Sequence, residues 1–176
     1  MKNKKVFLVN TFFFLLIYYT LFAEVKLPKL ISNGMILQRD TKVKLWGWAN
    51  PNEKIKINFI NKNYSTIADK DGNWFLILPK LKSGGPYEMK INGENEIIIK
   101  DILIGDVWLA SGQSNMELPI KRVWIKYKDE LKNYSNDSIR QFAVPQEYDF
   151  KEPRIDLRNG EWKKADKENI QNFSAV

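Results

Sequence analysis

The chain has 176 residues, a formal net charge of +7 from 28 Lys and Arg against 21 Asp and Glu, and neither His nor Cys. That length suits one domain, or one small domain and part of another. Without His or Cys, a Ser–His pair, a His metal site, a Cys nucleophile and a zinc-thiolate centre are excluded within these residues, so a catalytic base here could only be Lys, Asp or Glu.

The N-terminus reads as a secretory signal over residues 1–23. Lys2, Lys4 and Lys5 make a positive start, Val6 to Phe22 is mostly apolar, and Ala23 is a plausible cleavage residue. The apolar core from Phe12 to Phe22 is short for a span, which needs about 20 residues. The expectation is a secreted protein that meets a membrane only in transit. Three of the positive charges belong to this leader. In the remainder, Lys alternates with acidic and apolar residues, as in Lys126-Tyr127-Lys128-Asp129-Glu130. No dense basic run occurs there, so the charge describes a solvated surface and not a nucleic-acid site.

From Glu24 to about Lys100 the pattern is all-β. Lys42 to Trp48 and Lys54 to Phe59 alternate polar and apolar residues; Asn73 to Leu78, Tyr87 to Ile91 and Glu96 to Lys100 are further strands. Asn50-Pro51-Asn52, Asp69-Lys70-Asp71-Gly72, Ser83-Gly84-Gly85-Pro86 and Asn92-Gly93 mark turns between them. Short strands at this spacing predict a β-sandwich over 24–102. Trp46, Trp48 and Trp74 fall within strand patterns and are expected in packing. Trp46 and Trp48 share one face, which is expected to be buried.

The pattern changes near Ile102. Ile102 to Ala110 is nearly continuous apolar sequence, which suits a strand buried on both faces of a parallel sheet. Ile120, Val123, Trp124, Tyr127 and Leu131 then fall at helical spacing, and Ile139 to Val144 reads as a strand. Strand, helix, strand predicts the start of an α/β domain over 103–176. Gly112-Gln113-Ser114-Asn115-Met116 sits between that strand and that helix. A hydroxyl residue at such a turn, beside Gly, can be held up to solvent as a nucleophile. The turn's backbone N–H groups can face the oxyanion that forms. Gln113 and Asn115 either line such a site or hold the loop's shape. About 70 residues cannot cover both faces of an α/β sheet, so the second domain is expected to be incomplete, as in a truncated reading frame or a fragment.

The order of several segments resembles the N-terminal part of the sialate O-acetylesterases, within the SGNH/GDSL-type esterase superfamily. Leu30 to Asp40, Val43 to Ala49 with Trp46-Gly47-Trp48-Ala49, Gly72-Asn73-Trp74 and Lys82 to Tyr87 are similar to the opening β-domain. Gly105-Asp106-Val107-Trp108-Leu109-Ala110-Ser111-Gly112-Gln113-Ser114-Asn115-Met116-Glu117 resembles the catalytic block. Phe142 to Pro145, Gly160-Glu161-Trp162 and Asn172 to Val176 follow in order.

The resemblance implies an SGNH-hydrolase-like, flavodoxin-like second domain. It implies that Ser114 is the nucleophile and that its own N–H is one oxyanion donor, with Gly112, Gln113 and Asn115 as candidate site-loop residues. The remaining donors and a His–Asp pair would come from blocks absent from this sequence. Asp106 is expected as a strand-entry or capping group and not as a triad acid. The implied reaction releases acetate from O-acetylated sialic acid or another acetylated glycan, with no cofactor and no metal. With its base missing, the chain is expected to be an inactive or incomplete fragment. The rival reading is a non-catalytic, secreted, glycan-binding β-sandwich.

Overall fold

Alternation in Lys54-Ile55-Lys56-Ile57-Asn58-Phe59 sends Ile55, Ile57 and Phe59 to one face. All three are buried in the computed structural model, which describes residues 24–147 and 150–174. The leader expected over 1–23 lies outside the described residues.

Among the described residues the strands are β1 (Ile36–Gln38), β2 (Val43–Trp48), β3 (Lys54–Phe59), β4 (Lys62–Ile67), β5 (Asn73–Leu78), β6 (Gly84–Asn92), β7 (Glu96–Gly105), β8 (Asn136–Phe142) and β9 (Trp162–Ala165). A five-stranded mixed sheet has the order β1-β7-β6-β3-β4, while β2–β5 and β8–β9 are two-stranded antiparallel ladders. Within the large sheet β1 and β7 run parallel, and the other pairs run antiparallel. One apolar core joins the large sheet to the β2–β5 ladder. Ile55, Ile57, Met89, Ile91 and Ile99 from the former share it with Leu45, Trp74 and Leu78 from the latter. A smaller cluster of Ala165, Ile170 and Phe173 collects Ile120, Trp124, Leu131 and Tyr134.

The face assignment in β2 differs from expectation. Leu45 and Gly47 are buried, whereas Trp46 and Trp48 lie on the opposite, half-buried face. The reason is Trp74, 2% exposed, whose ring lies over Gly47. A Cβ at Gly47 would stand 2.9 Å from that ring and 2.3 Å from the Lys26 carbonyl oxygen. The indole N–H of Trp74 donates to the Trp48 carbonyl at 3.3 Å, so its polar edge is satisfied within the ladder.

Three further differences bear on the site. Strand β4 is too polar to read as a strand, because it is an edge strand whose side chains are mostly exposed. The strand expected from Ile102 to Ala110 ends at Gly105 and belongs to a longer β7 within the five-stranded sheet, so the boundary drawn at 102/103 falls inside one strand. The amphipathic helix expected after Met116 is broken into 3₁₀ turns at Ile120–Arg122 and Trp124–Tyr127 and one α-turn at Lys128–Leu131. No side chain caps any of these pieces, and β-branched Ile120, Val123 and Ile125 disfavour continuous helix. Strand β8 pairs with β9 and not with β7, so the expected strand-helix-strand unit has no parallel sheet of its own among the described residues.

One bulge joins the two halves. Between Met89↔Ile99 and Tyr87↔Ile102, β7 carries one residue more than β6. Asp101 absorbs it at φ 61°, a left-handed conformation that Asp tolerates better than most residues. The bulge turns its carbonyl and carboxylate toward Arg140 of β8, whose side chain is 1% exposed. Arg140 Nη1 donates to the Gly34 carbonyl at 2.8 Å and to the Asp101 carbonyl; Nη2 donates to Asp101 Oδ1 at 2.8 Å. Lys164 of β9 meets the other carboxylate oxygen at 3.1 Å. Burial alone would raise the Asp101 pKa, but the hydrogen bonds and charges of Arg140 and Lys164 outweigh it, and the carboxyl is held below its ordinary value.

Two outcomes are expected. Gly47→Ala should cost about 1–3 kcal/mol by overpacking against Trp74 and the Lys26 carbonyl, read as a lower urea midpoint at unchanged m-value. Because the Asp101 pKa is depressed in the folded state, its contribution is fully present above the unfolded value of about 3.9 and is lost as pH falls through the lower folded value. Asp101→Asn should therefore be less stable than the parent at pH 7, with the gap narrowing as pH falls below about 4. An unchanged gap across an acid titration would contradict the assignment.

Candidate active site

The segment that carries Ser114 begins where β7 ends. Arg39 N–H donates to the Gly105 carbonyl at 2.9 Å, and the Val107 N–H is held by Gln38 Oε1 at 2.8 Å. Arg39 Nε grips the Asp106 carboxylate at 2.9 Å and its Nη1 reaches Asp40 at 3.1 Å, while Lys82 meets Asp40 at 2.9 Å. Asp106 follows the end of β7 and so does not open a strand as expected; a guanidinium engages it at the root of the segment. The hydrogen bond from Lys82 leads the causes that hold the Asp40 carboxyl below its ordinary value. These four charges are exposed and screened, so they fix the direction of the exit more than they add stability.

Beyond that anchor the chain runs free to Gly112, which adopts φ 123° with nothing within 4 Å of a built Cβ. The backbone conformation, and not crowding, is what asks for glycine there. Gln113 is extended at φ −138° and starts a single 3₁₀ turn, Ser114–Met116. The Ser114 carbonyl accepts from Glu117 N–H at 3.1 Å and Leu118 N–H at 3.0 Å. The turn therefore closes on its C-terminal side. On its N-terminal side the N–H groups of Ser114 and Asn115 make no hydrogen bond among the described residues. Two unpaired donors beside an exposed hydroxyl are the elements of an oxyanion site.

The structure places Gly112, Gln113, Ser114 and Asn115 together, all exposed, on one short loop. It places no base against Ser114: among the described residues its hydroxyl has no hydrogen-bond partner. No grouping of three acidic, His or Cys side chains that could hold a metal ion occurs among the described residues.

The loop is tied to the C-terminal end by a contact that sequence reasoning missed. Ile120 N–H donates to the Phe173 carbonyl at 2.8 Å, and Lys121 Nζ to Asn172 Oδ1 at 3.3 Å. Gln141 on β8 holds Ser174 twice, its Nε2 donating to the carbonyl at 3.2 Å and its Oε1 accepting the N–H at 3.1 Å. An open cleft of about 530 Å³ lies beside these residues, lined by Gln141, Ala143, Asn159, Gly160, Lys163 and Phe173 among others. Gln141 offered no signal in the sequence, since one amide in a strand is ordinarily a surface residue.

No family model matches the chain. The sialate O-acetylesterase of Mus musculus is 29% identical over 126 residues, covering 65% of this chain and 23% of that one. The sialate O-acetylesterase of Pongo abelii is 26% identical over 153 residues, covering 80% of this chain and 29% of the relative. A solved carbohydrate acetylesterase from Xanthomonas citri superposes with a TM-score of 0.80 at 38% identity, covering 86% of this chain and 34% of that chain. The resemblance to the sialate O-acetylesterases read from the sequence holds, and this chain spans less than a third of the length of either of these curated relatives.

Gly112→Ala forces a Cβ into a left-handed backbone without meeting a neighbour. The expected outcome is faster amide exchange across Gln113–Leu118 with the thermal midpoint unchanged, because the loop contributes no core residue. A lowered midpoint with unaltered loop exchange would contradict this picture.

Proposed function

We propose that the chain is the nucleophile-bearing part of a secreted carbohydrate O-acetylesterase, with Ser114 as the attacking residue. The observation that carries the proposal is Ser114 itself: an exposed hydroxyl on a tight turn whose two N-terminal N–H groups make no hydrogen bond among the described residues. The similarity to sialate O-acetylesterases and to a carbohydrate acetylesterase supplies the reaction class. In this reading the described residues up to the end of β7 form a β-sandwich domain, and those after it the first part of an esterase domain.

The reaction is an acyl transfer in two steps. Ser114 Oγ attacks the acetyl carbonyl while a base takes its proton. The N–H groups of Ser114 and Asn115 receive the charge that develops on the carbonyl oxygen. The C–O bond to the sugar breaks and the sugar oxygen leaves with the proton. Water then attacks the acetyl-enzyme and releases acetate, returning the proton to Ser114. The substrate class is an O-acetylated sugar, with acetylated sialic acid as one member. Lys, Asp and Glu are the only candidate bases in the chain, and none contacts Ser114 among the described residues. The isolated chain is therefore expected to hydrolyse aryl acetates weakly or not at all.

The test is a chimera in which residues 24–174 replace the matched third of the Xanthomonas citri enzyme. Acetate release from an acetylated sugar should appear in the chimera and fall by about 10³–10⁶-fold on Ser114→Ala. A folded chimera whose activity is insensitive to Ser114→Ala would remove Ser114 from the reaction. The glycan-binding alternative loses Trp74 as a ligand contact, because Trp74 is a core residue.

A further inference from the structure

Alternation along the β2–β5 ladder gives it a second face, turned away from the core. The register sets Trp46 opposite Phe75, Lys44 opposite Ile77 and Trp48 opposite Asn73 on that side. Lys26 bridges to Trp48 and joins the same face, since its neighbours Val25 and Leu27 turn to the core. Phe75 and Ile77 are 58% and 45% exposed, and Trp46 and Trp48 are half-buried. Lys44 Nζ lies 5.1 Å from the centre of the Phe75 ring, so a cation and an aromatic surface are presented together. Lys26 and Lys44 are the charged residues of this face, and no carboxylate stands on it. Asp69, in the turn that precedes β5, is engaged by the N–H groups of Asp71 and Asn73. An apolar face of this kind, rimmed by polar side chains, marks a binding site more often than a bare surface.

We propose that this face is a glycan-binding site separate from the Ser114 loop, and that its ligand is a polysaccharide of acidic sugars. The C–H face of a sugar ring packs on Phe75 and Trp46, and the sugar carboxylates meet Lys26 and Lys44. Two cations with no carboxylate beside them make the face complementary to an anionic polymer. That this polymer is a glycan rests on the acetylesterase reading; the charge and the aromatic surface do not. A lipid surface is the weaker choice, because entering it by ~5–10 Å takes side chains that project, and Trp46 and Trp48 lie half-buried on paired strands. A second copy is weaker as well, because a symmetric contact would bring like charges together. The core lies between this face and the large sheet, whose β7 leads to the Ser114 segment. A polymer held here does not occupy the Ser114 loop, but it keeps its other sugars at raised local concentration around it.

The experiment titrates the purified chain with polysialic acid, and with dextran as a neutral polymer. The expected result is binding to polysialic acid that weakens as salt rises, and no binding to dextran. Phe75→Ala should weaken binding about tenfold. Lys26→Gln/Lys44→Gln should remove the salt dependence. These changes are on exposed side chains and should leave the thermal midpoint unchanged, and Ser114→Ala should bind as the parent does. Failure of the parent to bind polysialic acid overturns the proposal, as does binding that Phe75→Ala and the double lysine variant both retain. Equal binding to dextran overturns the acidic ligand. Phe75-dependent binding to anionic lipid vesicles in place of polysialic acid overturns the proposal in favour of a membrane surface. Self-association that Phe75→Ala abolishes overturns it in favour of a second copy. Polysialic acid binding alongside a folded chimera whose activity ignores Ser114→Ala upholds this site and overturns the function proposed above; Ser114-dependent activity without such binding does the reverse.

Discussion

Arg140 is the residue on which the arrangement of this chain depends. Its guanidinium is buried, and a buried cation is tolerated only when its N–H groups are met and its charge is countered. The carbonyls of Gly34 and Asp101 and the carboxylate of Asp101 do both. They can do so because β7 carries a bulge that turns Asp101 out of the regular ladder. A strand of regular register would have left the cation without its counter-charge. The bulge and the arginine are therefore one device. Through it the β8–β9 ladder takes a fixed position against the large sheet, and Trp162 extends the seam by donating to the Leu30 carbonyl at 2.9 Å and stacking edge-on with Phe142.

That seam determines where the Ser114 loop can lie. One end of the loop leaves β7 under the control of Gln38 and Arg39. The other end is tied through Ile120 to Phe173, and Phe173 is set by the Gln141–Ser174 pair on β8. Between these ends the loop has no core contact of its own. Rigid ends with a solvated middle leave the hydroxyl and the adjacent N–H groups open to a ligand while the approach direction is defined. The same arrangement leaves the apolar run before the loop uncovered, so stability and chemistry meet in one short stretch of chain.

Most strands were legible because alternation with a polar partner is a period-two signal that burial enforces, as Ile55, Ile57 and Phe59 show. Strand β4 was not, because an edge strand needs no apolar face. Trp46 and Trp48 share a face by alternation, but Leu45 and Gly47 take the buried side because Trp74 fills the space from the opposite strand, a fact about β5 that β2 does not contain. The segment from Val107 to Ala110 has a strand-like composition but lies outside any strand, because pairing needs a neighbour that local pattern cannot supply. Gly112 and Ser114 stood out as a loop because Gly beside a hydroxyl residue is a local signal. Arg140 and Gln141 did not stand out, since their roles come from contacts 33 to 106 residues away along the chain.

Gly34 gives the seam a further consequence. It sits at φ 81°, and a Cβ there would come within 3.3 Å of Trp162 and 3.4 Å of Arg140. Its carbonyl is at the same time one of the acceptors that satisfies Arg140. Gly34, Asp101, Arg140 and Trp162 are spread over most of the chain's length, yet none can be exchanged without altering the surroundings of the others. Substitutions among them are expected to be epistatic, each tolerated or not according to the state of the rest. Divergence at this seam would then proceed by joint replacement and not one position at a time.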